Sequence, residues 1–211
     1  MRIKLSKYIL LLALFFKLIG VYSFSPKAEI PMGSDKYEQL SINYTINGEN
    51  QKGYENFIQK SGKTLREKFI ETKILSNSFK EHTLEIDDGE CFYRINLLNK
   101  TGIKLPSLNK LKKNMIQKNP QLFKNSNYDP FQITPSKGKL KIKENILGKD
   151  CDGFLINNKV VFIWNNIILK ESWEIFGTTI KIAEKLILDE EINDSVFNIP
   201  KGIKLSTEPE M

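Results

Sequence analysis

From residue 40 the chain changes polarity at every second position. Leu40, Ile42, Tyr44 and Ile46 alternate with Ser41, Asn43 and Thr45, the mark of a strand with one buried and one wet face. Asn47-Gly48 reads as a turn. Strands are then predicted at 54–60, 65–75, 82–86 and 91–98, separated by turn signals at Ser61-Gly62-Lys63, Asn77-Ser78 and Asp87-Asp88-Gly89. Short strands joined by tight turns form a meander, so neighbours in sequence should pair as antiparallel neighbours in space. The rhythm breaks between Pro106 and Pro130, where Leu108, Leu111, Met115 and Ile116 fall at helical spacing behind Ser107, a good N-cap residue. This predicts one main helix. Residues 125–138 are loop-like, rich in Asn, Ser and Pro. Strands resume at 140–146, 153–157, 160–164, 167–176 and 178–188, and Phe197-Asn198-Ile199-Pro200 closes a last extended stretch before a polar tail.

Ahead of this pattern lies a segment of another kind. Arg2, Lys4 and Lys7 precede an apolar run from Tyr8 to Phe16, and Gly20 and Val21-Tyr22-Ser23 follow. Basic, then apolar, then small is the layout of a secretory signal peptide, cleaved near Ser23. The run is too short for a bilayer core of roughly 30 Å, which needs about 20 residues. An uncleaved amphipathic anchor is the alternative. The expected organisation is therefore a signal peptide at 1–23 and a single domain at 24–211, located in the periplasm.

Removing the leader changes the electrostatic picture. It carries four of the basic groups and no acidic one, so the formal net charge of +7 falls to +3, with no clustered basic face to suggest nucleic acid. Cys91 and Cys151 are the only cysteines. They either pair, as an oxidising compartment permits, or stand as two buried free thiols.

Three segments of the second half, Gly148-Lys149-Asp150-Cys151-Asp152-Gly153-Phe154, the run from Val161 to Lys170, and Phe197-Asn198-Ile199-Pro200-Lys201-Gly202, resemble exported bacterial proteins of the LolA-like superfamily, the periplasmic carriers of outer-membrane lipoproteins. The run Gly89-Glu90-Cys91-Phe92-Tyr93-Arg94-Ile95-Asn96-Leu97 is similar to the matching strand pair of the first half. The resemblance implies a mainly β (α+β) fold: a strongly curved, incompletely closed antiparallel barrel or half-barrel with helical cover and an apolar concave face. In that superfamily the face binds lipoprotein acyl chains or serves for sensing and docking. The carriers place a helix before their first strand, whereas residues 24–36 are short and proline-bearing here.

Catalytic chemistry is sparse. His82 is the only histidine, no G-x-S-x-G elbow exists to partner it, and one histidine cannot build a multi-histidine zinc site. Gly62-Lys63-Thr64 imitates the end of a P-loop, but Phe57 stands where the first glycine belongs. Ser107-Leu108-Asn109-Lys110 and Lys100-Thr101-Gly102 match penicillin-binding signatures in reversed order. Asp87, Asp88 and Glu90, and again Asp189, Glu190 and Glu191, are carboxylate clusters at turns that read as solvated charge rather than as calcium sites. A barrel-like sheet, however, can enclose more apolar wall than its side chains fill. The expected function is non-enzymatic and cofactor-free: a monomer binding a lipid, lipoprotein acyl chain or similar ligand through Leu108, Leu111, Met115, Phe154, Phe162, Trp164, Trp173 and Phe176, with the helix as a lid. The alternative is an envelope interaction or sensor module with a fully packed sheet, docking an envelope protein.

Overall fold

The computed structural model describes residues 36–107, 110–111, 139–156, 158–174 and 177–207. They belong to the compact unit Met32–Met211. The described residues form one mixed sheet of twelve strands that does not close. In chain order these are β1 (Gln39–Gly48), β2 (Gln51–Lys60), β3 (Lys63–Ile74), β4 (Asn77–Asp87), β5 (Cys91–Asn96), β6 (Thr101–Pro106), β7 (Lys139–Ile146), β8 (Lys149–Ile156), β9 (Lys159–Trp164), β10 (Ile167–Glu174), β11 (Thr178–Leu188) and β12 (Lys204–Ser206).

Two meanders meet at the centre. Spatial order runs β12-β6-β5-β4-β3-β2-β1-β11-β10-β9-β8-β7, so β1 and β11, far apart in sequence, pair side by side. The expected meander is present. Every pairing is antiparallel except β12 against β6, which is parallel and makes the sheet mixed rather than purely antiparallel. Tight hairpins keep neighbours adjacent: Ser61-Gly62, Leu147-Gly148 and Asn165-Asn166 each place two residues at positive φ, the backbone a two-residue hairpin turn demands.

Several expectations are corrected. The first turn lies at residues 49–50, after Gly48, because β1 keeps its pairing to the end of the alternation. Asn77 and Ser78 open β4 rather than turn the chain; the turn precedes them, with Leu75 at positive φ. β6 and β12 carry no alternating pattern strong enough to announce them, and both are edge-side strands. The segment ending at Phe197 is not extended: Asp194–Phe197 is a 3-10 turn capped by the Asn193 side chain, which accepts from Ser195 N–H. Of the predicted main helix, only Lys110 and Leu111 are described, and both are helical. The carbonyl of Ser107 accepts from Leu111 N–H at 2.9 Å, as an N-cap residue's should. The rest of that helix and the 125–138 loop lie outside the described residues.

The sheet buries different things on its two faces. Residues directly opposite across an antiparallel pair share a face. Leu40, Ile42, Tyr44 and Ile46 therefore define a front, joined by Phe57 opposite Ile42 on β2 and by Leu186 and Leu188 on β11. Apart from Ile46, these residues belong to or pack against one apolar cluster that also contains Ile167, Leu169 and Cys151 from the second meander. Ile58, the neighbour of Phe57, points to the back, and so do Leu65, Ile86 and Tyr93 in register with it. These make a second cluster capped by Phe197, Val196 and Ile192 from the chain that follows β11. Lys60 clips that segment down, donating to the Ile192 carbonyl at 2.6 Å and facing Asp194 at 3.3 Å. Gly53 permits close approach of β2 and β3, since a Cβ there would lie 1.9 Å from the Phe69 carbonyl oxygen.

Candidate functional site: a charged layer on the front face

The alternation that buries Leu40 to Ile46 also dictates what stands beside them. Opposite Tyr44 on β2 is Glu55, and opposite Glu55 on β3 is Lys68. Two residues back along β3, Arg66 faces Glu85 on β4, and Glu85 faces Arg94 on β5. On the other side, Ile46 faces Lys181 on β11, and Lys181 faces Glu171 on β10. All of these side chains therefore share the front.

They are joined into one chain of ion pairs. Arg94 Nη2 lies 2.7 Å from Glu85 Oε1, and Arg66 Nη1 lies 3.8 Å from Glu85 Oε2. Arg66 Nη2 donates to Glu55 Oε2 at 3.0 Å, and Lys181 Nζ donates to Glu55 Oε1 at 3.1 Å. Lys181 continues to Glu171 at 3.2 Å, which Lys159 approaches at 3.8 Å. The middle of this chain is dry: Glu55 is 1% exposed and Lys181 2%. Lys181 Nζ also sits 4.7 Å above the ring of Tyr44, a cation–π contact, while the Tyr44 hydroxyl donates to the Ile168 carbonyl at 2.6 Å.

Burial and charge shift several of these groups. Burial first, then the carboxylates of Glu55 and Glu171, hold the Tyr44 hydroxyl well above its ordinary range. Burial pushes Glu171 up, but Lys181 and Lys159 overcome it and the carboxyl sits below its usual value. Burial lowers Lys68, helped by Arg66 and Lys181 and opposed by Glu81 and Glu55. Burial likewise lowers Lys159, against the pull of Glu171, and Lys181, Lys68 and Arg66 deepen the depression. Chemically the layer offers cations and carboxylates held against one another.

The residues expected to hold an apolar ligand fall into three groups. Phe154, opposite Val161, and Trp173, with Lys159 Nζ 5.2 Å from its ring, share the front with Glu171. Phe162, opposite Lys170 and so on the other side of the sheet from Val161, is buried in the first apolar cluster, and Trp164 packs against that cluster beneath the ring of Tyr37. Leu111 is 41% exposed. Leu108, Met115 and Phe176 lie outside the described residues.

Other candidates resolve into structure. His82 Nε2 lies 2.8 Å from Glu67 Oε1 on the back, with the Phe69 ring edge-on at 5.6 Å. Asp87 accepts from Gly89 N–H at 2.9 Å and from the Ser107 hydroxyl at 3.0 Å, and Asp88 accepts from Glu90 and Cys91 N–H. Glu90 pairs with Lys110. These carboxylates are consumed by a turn, and no three His, Cys, Asp or Glu side chains among the described residues are grouped to hold a metal. Gly62 and Lys63 belong to the β2–β3 hairpin, so the P-loop likeness is a turn. Cys91 and Cys151 are both free thiols, Cys91 packed against the second apolar cluster and Cys151 buried in the first. A polar surface cleft of about 410 Å³ is lined by Lys60, Glu191, Ile192, Asn193 and Asp194 and contains none of the expected ligand residues. Among the described residues no helix is long and apolar enough to cross a membrane.

Sequence reading missed Glu55, Arg66, Lys68, Glu171 and Lys181. Their one signal is parity: each stands at a position that the register assigns to the buried face, which becomes visible only when the strands are paired.

No family model matches the chain, and no curated protein matches it. Similar solved structures include an uncharacterized conserved protein from Thermus thermophilus, 8% identical over 79% of this chain and 89% of that one, with a TM-score of 0.46. PNGF-II is 13% identical over 80% of this chain, with a TM-score of 0.34, and the match spans only 31% of PNGF-II. Both scores are too low for either likeness to carry an argument about fold or function.

Proposed function

We propose that this chain is an exported, LolA-like, non-enzymatic protein of the bacterial periplasm that holds a lipid or lipoprotein acyl chain against the concave front of a strongly curved half-barrel. The observation that carries this reading is a side-chain contact that reaches over an intervening strand on the front. The Tyr44 hydroxyl on β1 reaches the Ile168 carbonyl on β10 at 2.6 Å, although β11 stands between the two strands. At about 4.8 Å per step a flat sheet would separate those backbones by roughly 10 Å, farther than a tyrosine side chain reaches. A sheet bent round its front brings them within reach. Bending also encloses the apolar rows of β1, β2 and β11, against which each methylene of a guest chain contributes about 0.8 kcal/mol.

The second reading, an envelope sensor or docking module with a packed front, is favoured by the complete burial of Leu40 and Ile42. Native mass spectrometry on protein purified gently from its own envelope separates the two. A co-purified acyl lipid is expected; a bare apo mass, with no lipid in a solvent extract of the same sample, overturns the carrier reading in favour of docking. N-terminal sequencing of the same material is expected to begin near Phe24.

A further inference from the structure

Within the charged layer the numbers of cations and carboxylates do not match. Arg94, Arg66, Lys181 and Lys159 are strung along only Glu85, Glu55 and Glu171, four cations sharing three carboxylates. Lys68 adds a fifth cation, and Glu81, opposite Ile70 on β4 and exposed to solvent, adds a fourth carboxylate on the same face. Its cross-strand neighbour is Glu55, but both oxygens of that carboxylate are already taken, one by Arg66 at 3.0 Å and one by Lys181 at 3.1 Å. Lys68 makes no ion pair or hydrogen bond among the described residues, and it is not out in open water either, being partly buried. A lysine in that position costs stability, because an ammonium removed from water needs a partner to offset its lost hydration.

Resting on the carrier reading above, we infer that Lys68 is the charge partner for the anionic head, carboxylate or phosphate, of an acyl-chain ligand. The head would give the Lys68 ammonium the ion pair that neither Glu55 nor the exposed Glu81 makes with it among the described residues. The chain would lie along the same face, displacing the present cover of Ile70, which follows Lys68 on β3, and of Phe57, which stands opposite Arg66 on β2, both now buried. A compact ammonium suits either head, since it acts as a point charge and needs no fixed fork geometry. Burial sharpens the preference. The guest displaces the water that would otherwise screen the pair, and an uncharged head would leave Lys68 as uncompensated as before. Burial and then Arg66 lower Lys68, while Glu81 and Glu55 pull the other way.

The test uses the full secreted chain, stripped of lipid, and titrates it with cis-parinaric acid and with the methyl ester of the same fatty acid. The acid is expected to bind about tenfold more tightly than the ester. K68M and K68Q are each expected to bring the acid down to the ester's affinity while leaving the ester unchanged. Both variants should fold, since no partner of Lys68 is lost. K52M, which removes an exposed lysine whose position lies on the opposite face, is expected to change neither. Added salt weakens the acid and not the ester, a readout that needs no variant. Competition by palmitate and by a lysophosphatidic acid then distinguishes the heads: the stronger competitor names carboxylate or phosphate. If acid and ester bind equally to the wild type, or K52M lowers the acid as much as K68M does, the Lys68 site is overturned and the apolar reading stands. If neither probe binds, both fall.

Discussion

Replacing Glu55 by glutamine probes the centre of the charged layer with almost no change of shape. The carboxylate is 1% exposed and receives Arg66 at 3.0 Å and Lys181 at 3.1 Å. At an effective dielectric of about 20, each contact is worth roughly 5 kcal/mol before the cost of drying the charges is set against it. Removing one member of a buried pair costs about 3–5 kcal/mol, because the surviving charge is left uncompensated. Here the survivors keep second partners, Glu85 at 3.8 Å for Arg66 and Glu171 at 3.2 Å for Lys181, so the lower end applies and E55Q should lose about 3 kcal/mol. For a domain of this size that is a fall in Tm of roughly 6–12 °C. Urea unfolding followed by far-UV circular dichroism at constant m-value gives the free energy. In a double-mutant cycle, E55Q/K181Q should cost less than the sum of the two single changes. A loss below about 1 kcal/mol with additive cycles would show that the layer breaks even against its own desolvation, and the reasoning from buried charge would be refuted.

Acid should unfold the protein through the same layer. Lys181 and Lys159 hold the Glu171 carboxyl below its ordinary range despite burial, so its contribution is complete above the unfolded value of about 4.3 and is lost as pH falls through the folded one. The urea midpoint is accordingly expected to drop between about pH 5 and pH 3, and E171Q to flatten that slope; an unchanged slope in E171Q counts against the assignment. Phe197→Ala removes the cap of the back cluster and should cost about 3 kcal/mol in urea unfolding, whereas a cost within about 0.5 kcal/mol would mean the 192–203 segment is not part of the core. Unreduced protein should titrate two thiols in denaturant. In the folded state Cys91 should react with a thiol reagent well before Cys151, which is fully buried and whose thiol burial pushes up; a mass short by two hydrogens before reduction would instead show a disulfide.

The period-two pattern was enough to place most of the strands and to join them as meanders, because alternation and hairpin turns are local properties of adjacent residues. Ser61-Gly62 illustrates this: its conformation is written into its two side chains. Pairing between β1 and β11 was not local. It brings Ile46 beside Lys181 across more than half the chain, and no short-range pattern records which distant strand will arrive. The back cluster was hidden for a related reason: Leu65 and Ile86 read as strand residues whichever face they serve, and only the docking of Phe197 decides that theirs is buried. The charged layer was hidden most completely. Glu55, Lys68 and Lys181 look like surface charge in a lysine-rich chain, and they become a site only because the register turns them to the face that Tyr44 occupies. A residue's type is set by the sequence alone, but the dielectric around it and the partners within reach are set by packing, and the chemistry of a buried charge depends on those two quantities.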